Sequence, residues 1–410
     1  MAYIAILILT LVTGVFIYRK LDYPDNRFLV LIFAGAMFVR STVSVVFTDI
    51  TYINNFGGLG FLSGDDLLYS MKGLSIMHKL ADGTFVYTLQ EFGVNLYTCI
   101  LAVFYRIFGF NLVASKFINC YFGALLPVAA YFVSKKLTGQ NVSAKILAVI
   151  CAFYPSFIYW SSHNLKDPLI MLAVWLGIYL VLKTISRELK VLDIVIFGLY
   201  AFIILNLQIM YVYQISLIGL YFVLSYASKP IKICALIAIA AFVVYVAVEQ
   251  DLYAKFMIFS EEHQLKIALG DDSGYYLYSK NFMNNIIDGK PDPVGFMTVY
   301  VKGMTYFLFI PFFWKLNSIM QFAVMPQILV WYILLVFAVP GFIKMLKSKP
   351  GANGAVFLFL IIGISFWAFM EGNAGTAFRH RDHFASVIFL YSAIGIQNFF
   401  ISANKDERLK

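Results

Sequence analysis

The sequence predicts an all-α polytopic membrane protein, and three observations predict it. Of its 410 residues, 61% are hydrophobic and only 13% are charged, whereas a soluble domain carries about 25% charged residues. Apolar stretches of about 20 residues, the length of a membrane-crossing helix, recur from end to end. Basic residues gather in the short loops between them, as loops retained on the cytoplasmic side do. A soluble fold of this composition would expose large apolar patches and aggregate. The net charge of +9 therefore speaks for membrane topology, with membrane lipids and not nucleic acid as the surroundings.

Eleven spans follow, near 2–18, 27–47, 117–134, 144–160, 168–183, 191–207, 210–226, 231–248, 325–345, 354–371 and 383–402. The first is followed by no small-residue cleavage site and reads as a span. Two further stretches, 96–109 (interrupted by Arg106) and 297–314, read as interfacial or re-entrant. With both left uncrossed, one face receives 17 basic and 6 acidic residues, including Arg19, Lys20, Lys135, Lys136, Lys229, Lys232 and Lys347. The other face receives 13 basic and 16 acidic residues. The positive-inside rule makes the first face cytoplasmic, with the N-terminus outside and the C-terminus inside. A bacterial inner (plasma) membrane is the expected setting.

The chain then divides without a soluble domain or a clear repeat. Residues 1–47 hold two spans, and 48–116 form a first extracytoplasmic loop with surface helices. A six-span bundle covers 117–248, a second extracytoplasmic segment 249–324, and three spans with a cytoplasmic tail 325–410. Within the first loop, Leu67, Met71, Leu74 and Met77 recur at helical spacing, predicting an amphipathic surface helix. Cys99, Cys120, Cys151 and Cys234 share no metal-ligand spacing and read as buried hydrophobes.

Polar residues with chemical potential concentrate on the outer face. Asp65 and Asp66, with Tyr69 close behind, precede the surface helix. Paired acids suit a proton acceptor or oxygen ligation of a cation, and a helix N-cap is the structural alternative. His163, Lys166 and Asp167 crowd the turn before Pro168, where Asp167 also suits capping. Arg379, His380, Arg381 and His383, two Arg and two His within five residues, suit an anionic headgroup, because guanidinium binds phosphate through a planar fork. Arg40 lies inside a span, where an ionised residue is costly and marks function or snorkels to the interface. Gln208 and Glu91 are weaker cavity candidates. No phosphate-binding loop, nucleophile elbow, zinc-protease or dinucleotide fingerprint stands in convincing context. A donor used at the outer face must then be delivered there, and a lipid carrier is its natural form.

In this order the clusters resemble the GT-C superfamily of membrane glycosyltransferases, family 39 in particular, the protein-mannosyltransferase and aminoarabinose-transferase type. The resemblance rests on Gly64-Asp65-Asp66-Leu67-Leu68-Tyr69, on Phe104 to Gly109, and on Phe117 to Tyr131 with Lys135-Lys136. It extends through Tyr154-Pro155-Ser156, Lys166-Asp167-Pro168 and Phe378-Arg379-His380-Arg381. It implies a polyprenyl-phosphate-linked sugar donor and inverting transfer to a glycan, lipid or protein acceptor. A first-loop Asp, Asp66 ahead of Asp65, would be the base. Arg379, His380, Arg381 and Lys166 would hold the donor phosphate. No cofactor is required by the resemblance, and a divalent cation is compatible with it. The competing readings are an O-antigen-type polymerase or ligase built on Arg and His, a lipid-linked sugar transporter or flippase, and a non-catalytic assembly subunit.

Overall fold

A computed structural model describes residues 1–20, 25–54, 63–86, 96–208, 211–231, 233–234, 237, 250–269, 274–290, 292–315, 322 and 324–407. Its helices in chain order are α1 Ala2–Lys20, α2 Asp25–Asn54, α3 Gly64–Ala81, α4 Leu96–Phe108, α5 Leu112–Thr138, α6 Asn141–Phe153, α7 Pro155–Ser161 and α8 Asp167–Ile185. They continue as α9 Val191–Leu207, α10 Val212–Tyr226, α11 Gln250–Ala268, α12 Lys280–Ile287, α13 Pro293–Phe309, α14 Met325–Ser348, α15 Pro350–Met370 and α16 Ala374–Glu407. Among the described residues there is no β-strand, only one isolated bridge between Gly274 and Asn373.

Seven of these helices are long and apolar enough to cross a membrane: α1, α2, α5, α8, α14, α15 and α16. Together α6 and α7 make an eighth candidate, bent by 53°. The chain is thus a polytopic helical membrane protein. The apolar helices α9 and α10 have 17 and 15 residues, and the expected span 231–248 falls almost wholly outside the described residues. The two ambiguous stretches form shorter helices. The 13-residue α4 packs on α3, and the 17-residue α13 packs on α15.

The sequence pattern predicts one straight span over 144–160, and the structure divides it at Pro155. Proline has no N–H to return to the carbonyl of Cys151, and the turn takes the next donor out of helical register. Arg40 from α2 supplies what is lost. Its Nη1 donates to the Ala152 carbonyl at 2.7 Å and the Ala36 carbonyl at 3.2 Å, and its Nη2 to the Cys151 carbonyl at 3.2 Å. The side chain is fully buried, so it does not snorkel. Pro127 and Pro340, in contrast, sit inside unbroken helices.

The long helices α5 and α16 form the centre. α16 meets α14 by backbone contact: a Cβ on Gly341 would fall 1.9 Å from the Tyr391 carbonyl oxygen, and one on Gly395 would fall 1.9 Å from that of Phe337. Small residues allow such close approach of helices in lipid. α16 is tied to α6 by the Gln397 side chain, which accepts from Ser143 N–H at 3.0 Å, and to α8 by Trp175 Nε1 donating to Ser386 Oγ at 3.0 Å.

The two ends of the bundle differ in character. At one end Asp25 bridges Lys135 at 2.9 Å and Lys145 at 2.8 Å, Asp193 pairs with Lys183, and Glu188 with Lys136. At the other end stand the first turns of α3, α8 and α16, which carry the candidate site.

Candidate active site

The local sequence explains how α3 presents its two acids. Ser63 is the N-cap, its Oγ accepting from Asp66 N–H at 3.2 Å. Neither acid is therefore the cap. Both occupy the first turn, where negative charge complements the helix dipole, and they leave it in different directions.

Asp66 turns inward and is fully buried. Its carboxylate lies 3.2 Å from Lys116 Nζ of α5, also fully buried, and accepts the backbone N–H of Asn164 at 3.1 Å. Lys116 also donates to Thr48 Oγ1 at 3.1 Å. Asn164 extends the network, donating through Nδ2 to Ser70 and Ser115, each at 2.9 Å, and accepting from Tyr97 at 3.3 Å. These bonds join α2, α3, α4, α5 and the turn before α8. Asp66 is thus an anchor of the surface helices on the bundle.

Asp65 turns outward, with 45% of its side chain exposed, and pairs with Nη1 of Arg379. Arg379 is held on its other edge. Its Nε and Nη2 lie 2.8 and 2.6 Å from the two oxygens of Asp167, a bidentate fork. Asp167 opens α8 next to Pro168 and is buried. The imidazole of His383, one turn beyond Arg379 on α16, contacts Asp167 Oδ1 through Nε2 at 2.8 Å and the Tyr211 hydroxyl through Nδ1 at 2.6 Å. A continuous chain therefore runs from Asp65 through Arg379, Asp167 and His383 to Tyr211. Trp160 lies under the guanidinium, with its ring centroid 5.9 Å away.

Lys166 flanks this chain. Its ammonium donates to the Leu207 carbonyl at 3.1 Å and to the side chain of Gln208, which caps α9. Burial pulls it down to about 8, against the upward pull of Asp167, and it lies in electrostatic reach of Arg379 and Asp65. His380 belongs to a neighbouring set. Its Nδ1 bonds Glu371, its ring stacks on Trp367 at 3.9 Å, and Glu371 also accepts from Thr376 at 2.6 Å.

Of the four basic residues expected at a donor phosphate, Arg379 alone bonds Asp65, Lys166 flanks the pair from Gln208, and His380 is held on Glu371. Arg381 points elsewhere. It is buried between Trp331 and Phe378 and donates to the carbonyls of Leu308 and Ile310 at 2.9 and 2.8 Å. Arg40 caps the broken span. His163 is buried with Nδ1 at 2.6 Å from the Tyr159 carbonyl, and burial holds its imidazole neutral, down to about 4. Tyr69 is buried edge-on to Tyr97, in reach of Arg379. Glu91 lies outside the described residues. Among those residues no group of three or more His, Cys, Asp or Glu side chains converges as metal ligands would.

Sequence reasoning did not single out Lys116 or Tyr211, and named His383 only as part of a basic run. The spacing of Arg379 and His383, four residues apart on one helix, places both on one face and Arg381 on another, so helical phase alone carries that signal. Nothing local marks Lys116 as the partner of Asp66.

Comparison with family models, curated proteins and solved structures finds no match. The functional reading therefore rests on the residues and their geometry.

Proposed function

We propose that the protein is a membrane glycosyltransferase that moves a sugar from a polyprenyl-phosphate carrier to an acceptor at the extracytoplasmic face. One observation carries this reading: a solvent-accessible carboxylate, Asp65, faces a rigidly held guanidinium, Arg379, at one end of an apolar helical bundle, with Lys166 beside them. Such a pair supplies both halves of an inverting displacement. Asp65 takes the proton of the acceptor hydroxyl or amine as that atom bonds to the anomeric carbon. The bond from that carbon to the phosphate oxygen breaks, and the phosphate leaves with the electron pair. Arg379 and Lys166 stabilise the charge it gains.

Burial supports Asp65 over Asp66 as the base. Asp66 is enclosed and committed to Lys116 and Asn164, so it cannot reach an acceptor arriving from solvent. Asp65 is accessible, and the base is assigned to it. An almost wholly apolar groove lined by Phe309, Trp314, Tyr332 and Val336 opens on the outside of the bundle, and it suits a prenyl chain.

The test is lipid mass spectrometry of the purified protein, followed by transfer assays with polyprenyl-phosphate sugars. Copurified polyprenyl phosphate, together with transfer lost in Arg379→Ala, is expected. Transfer retained in both Arg379→Ala and Asp65→Asn would remove this pair from the mechanism, and a parent protein that neither copurifies polyprenyl phosphate nor transfers sugar would end the reading. The first outcome would favour a polymerase or ligase that does not use this pair, and the second a flippase or a non-catalytic subunit.

A further inference from the structure

We infer that Asp65 closes the phosphate site when no donor is bound, and that the donor's phosphate frees Asp65 to act as base by taking its place on Arg379. The inference rests on the reading of Arg379 as a lipid-phosphate ligand. It adds a binding order and a competitor within the protein itself.

Three contacts carry it. First, Arg379 cannot turn away. The bidentate bonds to Asp167 fix one edge of the guanidinium, and Asp167 is itself buried and bonded to His383. The edge with Nη1 is the one that meets an exposed partner, and that partner is Asp65. Second, α3 does not need to move for this contact to open. The adjacent Asp66 is pinned by Lys116 and Asn164, so Asp65 leaves by side-chain rotation towards solvent. Third, the local charges balance when the site is closed: Arg379 and Lys166 stand against Asp65 and Asp167. A phosphate arriving at Nη1 repels the Asp65 carboxylate and replaces it as the anion on that edge.

The exchange also changes what Asp65 can do. While it bonds Arg379, the carboxylate has one oxygen engaged. Once released, both of its oxygens are open to the acceptor's proton. The base is therefore ready only once the donor is in place. When the spent polyprenyl phosphate leaves, Asp65 returns to Arg379 and the site closes.

The contact makes a prediction that a simple base or scaffold role does not. Polyprenyl phosphate binding is measured in nanodiscs for the parent protein, Asp65→Asn, Asp65→Ser and Arg379→Ala, with polyprenol of the same length and inorganic phosphate as comparison ligands. Thermal unfolding of each variant is followed in parallel. The two Asp65 variants, which keep the parent's stability, are expected to bind polyprenyl phosphate about 2–5-fold more tightly while losing transfer. Polyprenol binding is expected to be the same in all four proteins. The same gain with inorganic phosphate supports the inference, with the phosphate and not the chain as what Asp65 excludes. Unchanged or weaker phosphate binding in both Asp65 variants overturns it, even where transfer is lost. If the parent binds polyprenyl phosphate no better than polyprenol and Arg379→Ala changes nothing, the functional reading falls first and this inference with it.

Discussion

Asp65→Asn and Asp66→Asn are one residue apart, and the structure predicts opposite phenotypes for them. Asp66 is fully buried, 3.2 Å from an equally buried Lys116. Asparagine can still accept the Asn164 N–H, so the exchange removes chiefly the charge that faces Lys116. Removing one partner of a buried ion pair costs about 3–5 kcal/mol. Asp65 is 45% exposed, and an ion pair screened by solvent contributes less than about 1 kcal/mol. Asp66→Asn should therefore lower the thermal unfolding midpoint of the detergent-purified protein, while Asp65→Asn leaves it in place. Transfer should follow the reverse order, falling by roughly 10²–10⁴-fold in Asp65→Asn and only as far as folded protein is lost in Asp66→Asn. A second exchange tests the cause. Lys116→Met added to Asp66→Asn removes the remaining buried charge and should recover much of the lost stability. If Asp66→Asn unfolds like the parent and abolishes transfer, the division of labour assigned by burial is wrong.

Arg40→Met should destabilise the protein by about 1–3 kcal/mol for each carbonyl it leaves without a donor at the break before Pro155, while polyprenyl phosphate affinity stays unchanged; calorimetry and the nanodisc assay check the two halves. His163 gives a pH dependence. Its imidazole titrates near 6.5 when unfolded and at about 4 when folded, so the unfolded chain binds the extra proton between these values. The stability is complete above pH 6.5 and falls by about 3 kcal/mol as pH drops through 4; acid unfolding of His163→Gln should lack this component. For topology, single cysteines replacing Lys266 and Lys347, in a background with Cys99 and Cys234 changed to Ser, should label from opposite sides of sealed vesicles. Labelling from the same side would refute the charge partition.

What could be read from sequence was set by local rules. Seven long helices were legible from apolar length alone, because a membrane span must satisfy its own backbone and fill its own thickness. The division at Pro155 was not legible. Pro127 and Pro340 carry the same residue inside continuous helices. What separates the cases is Arg40, distant in the chain, whose guanidinium satisfies the broken end. The site shows the same limit. That acids and bases collect at one end of the bundle followed from loop composition. That Arg379 chooses Asp167 and Asp65, and that Lys116 claims Asp66, depends on contacts made between elements far apart in the chain. Arg379 and Arg381 carried equal weight as phosphate ligands, and helical phase could have separated them, since His383 shares a face with the first and not with the second.

The glycine seam between α14 and α16 has a bearing on where damage can enter this machine. Gly395 lies 16 residues along α16 from Arg379, about 24 Å at 1.5 Å per residue, yet both ride on one rod. At the seam there is no slack: any Cβ at Gly341 or Gly395 would drive into a backbone carbonyl. Relief can come only by moving one helix off the other. A methyl group placed there works as a wedge under a long lever, whose far end carries Arg379 and His383. The bidentate grip on Asp167, at 2.8 and 2.6 Å, depends on where that end sits. A position able to silence the site without touching it is therefore expected on the opposite half of the bundle, where a search centred on charged residues would not look; Gly395→Ala should lower transfer while leaving every site residue unsubstituted.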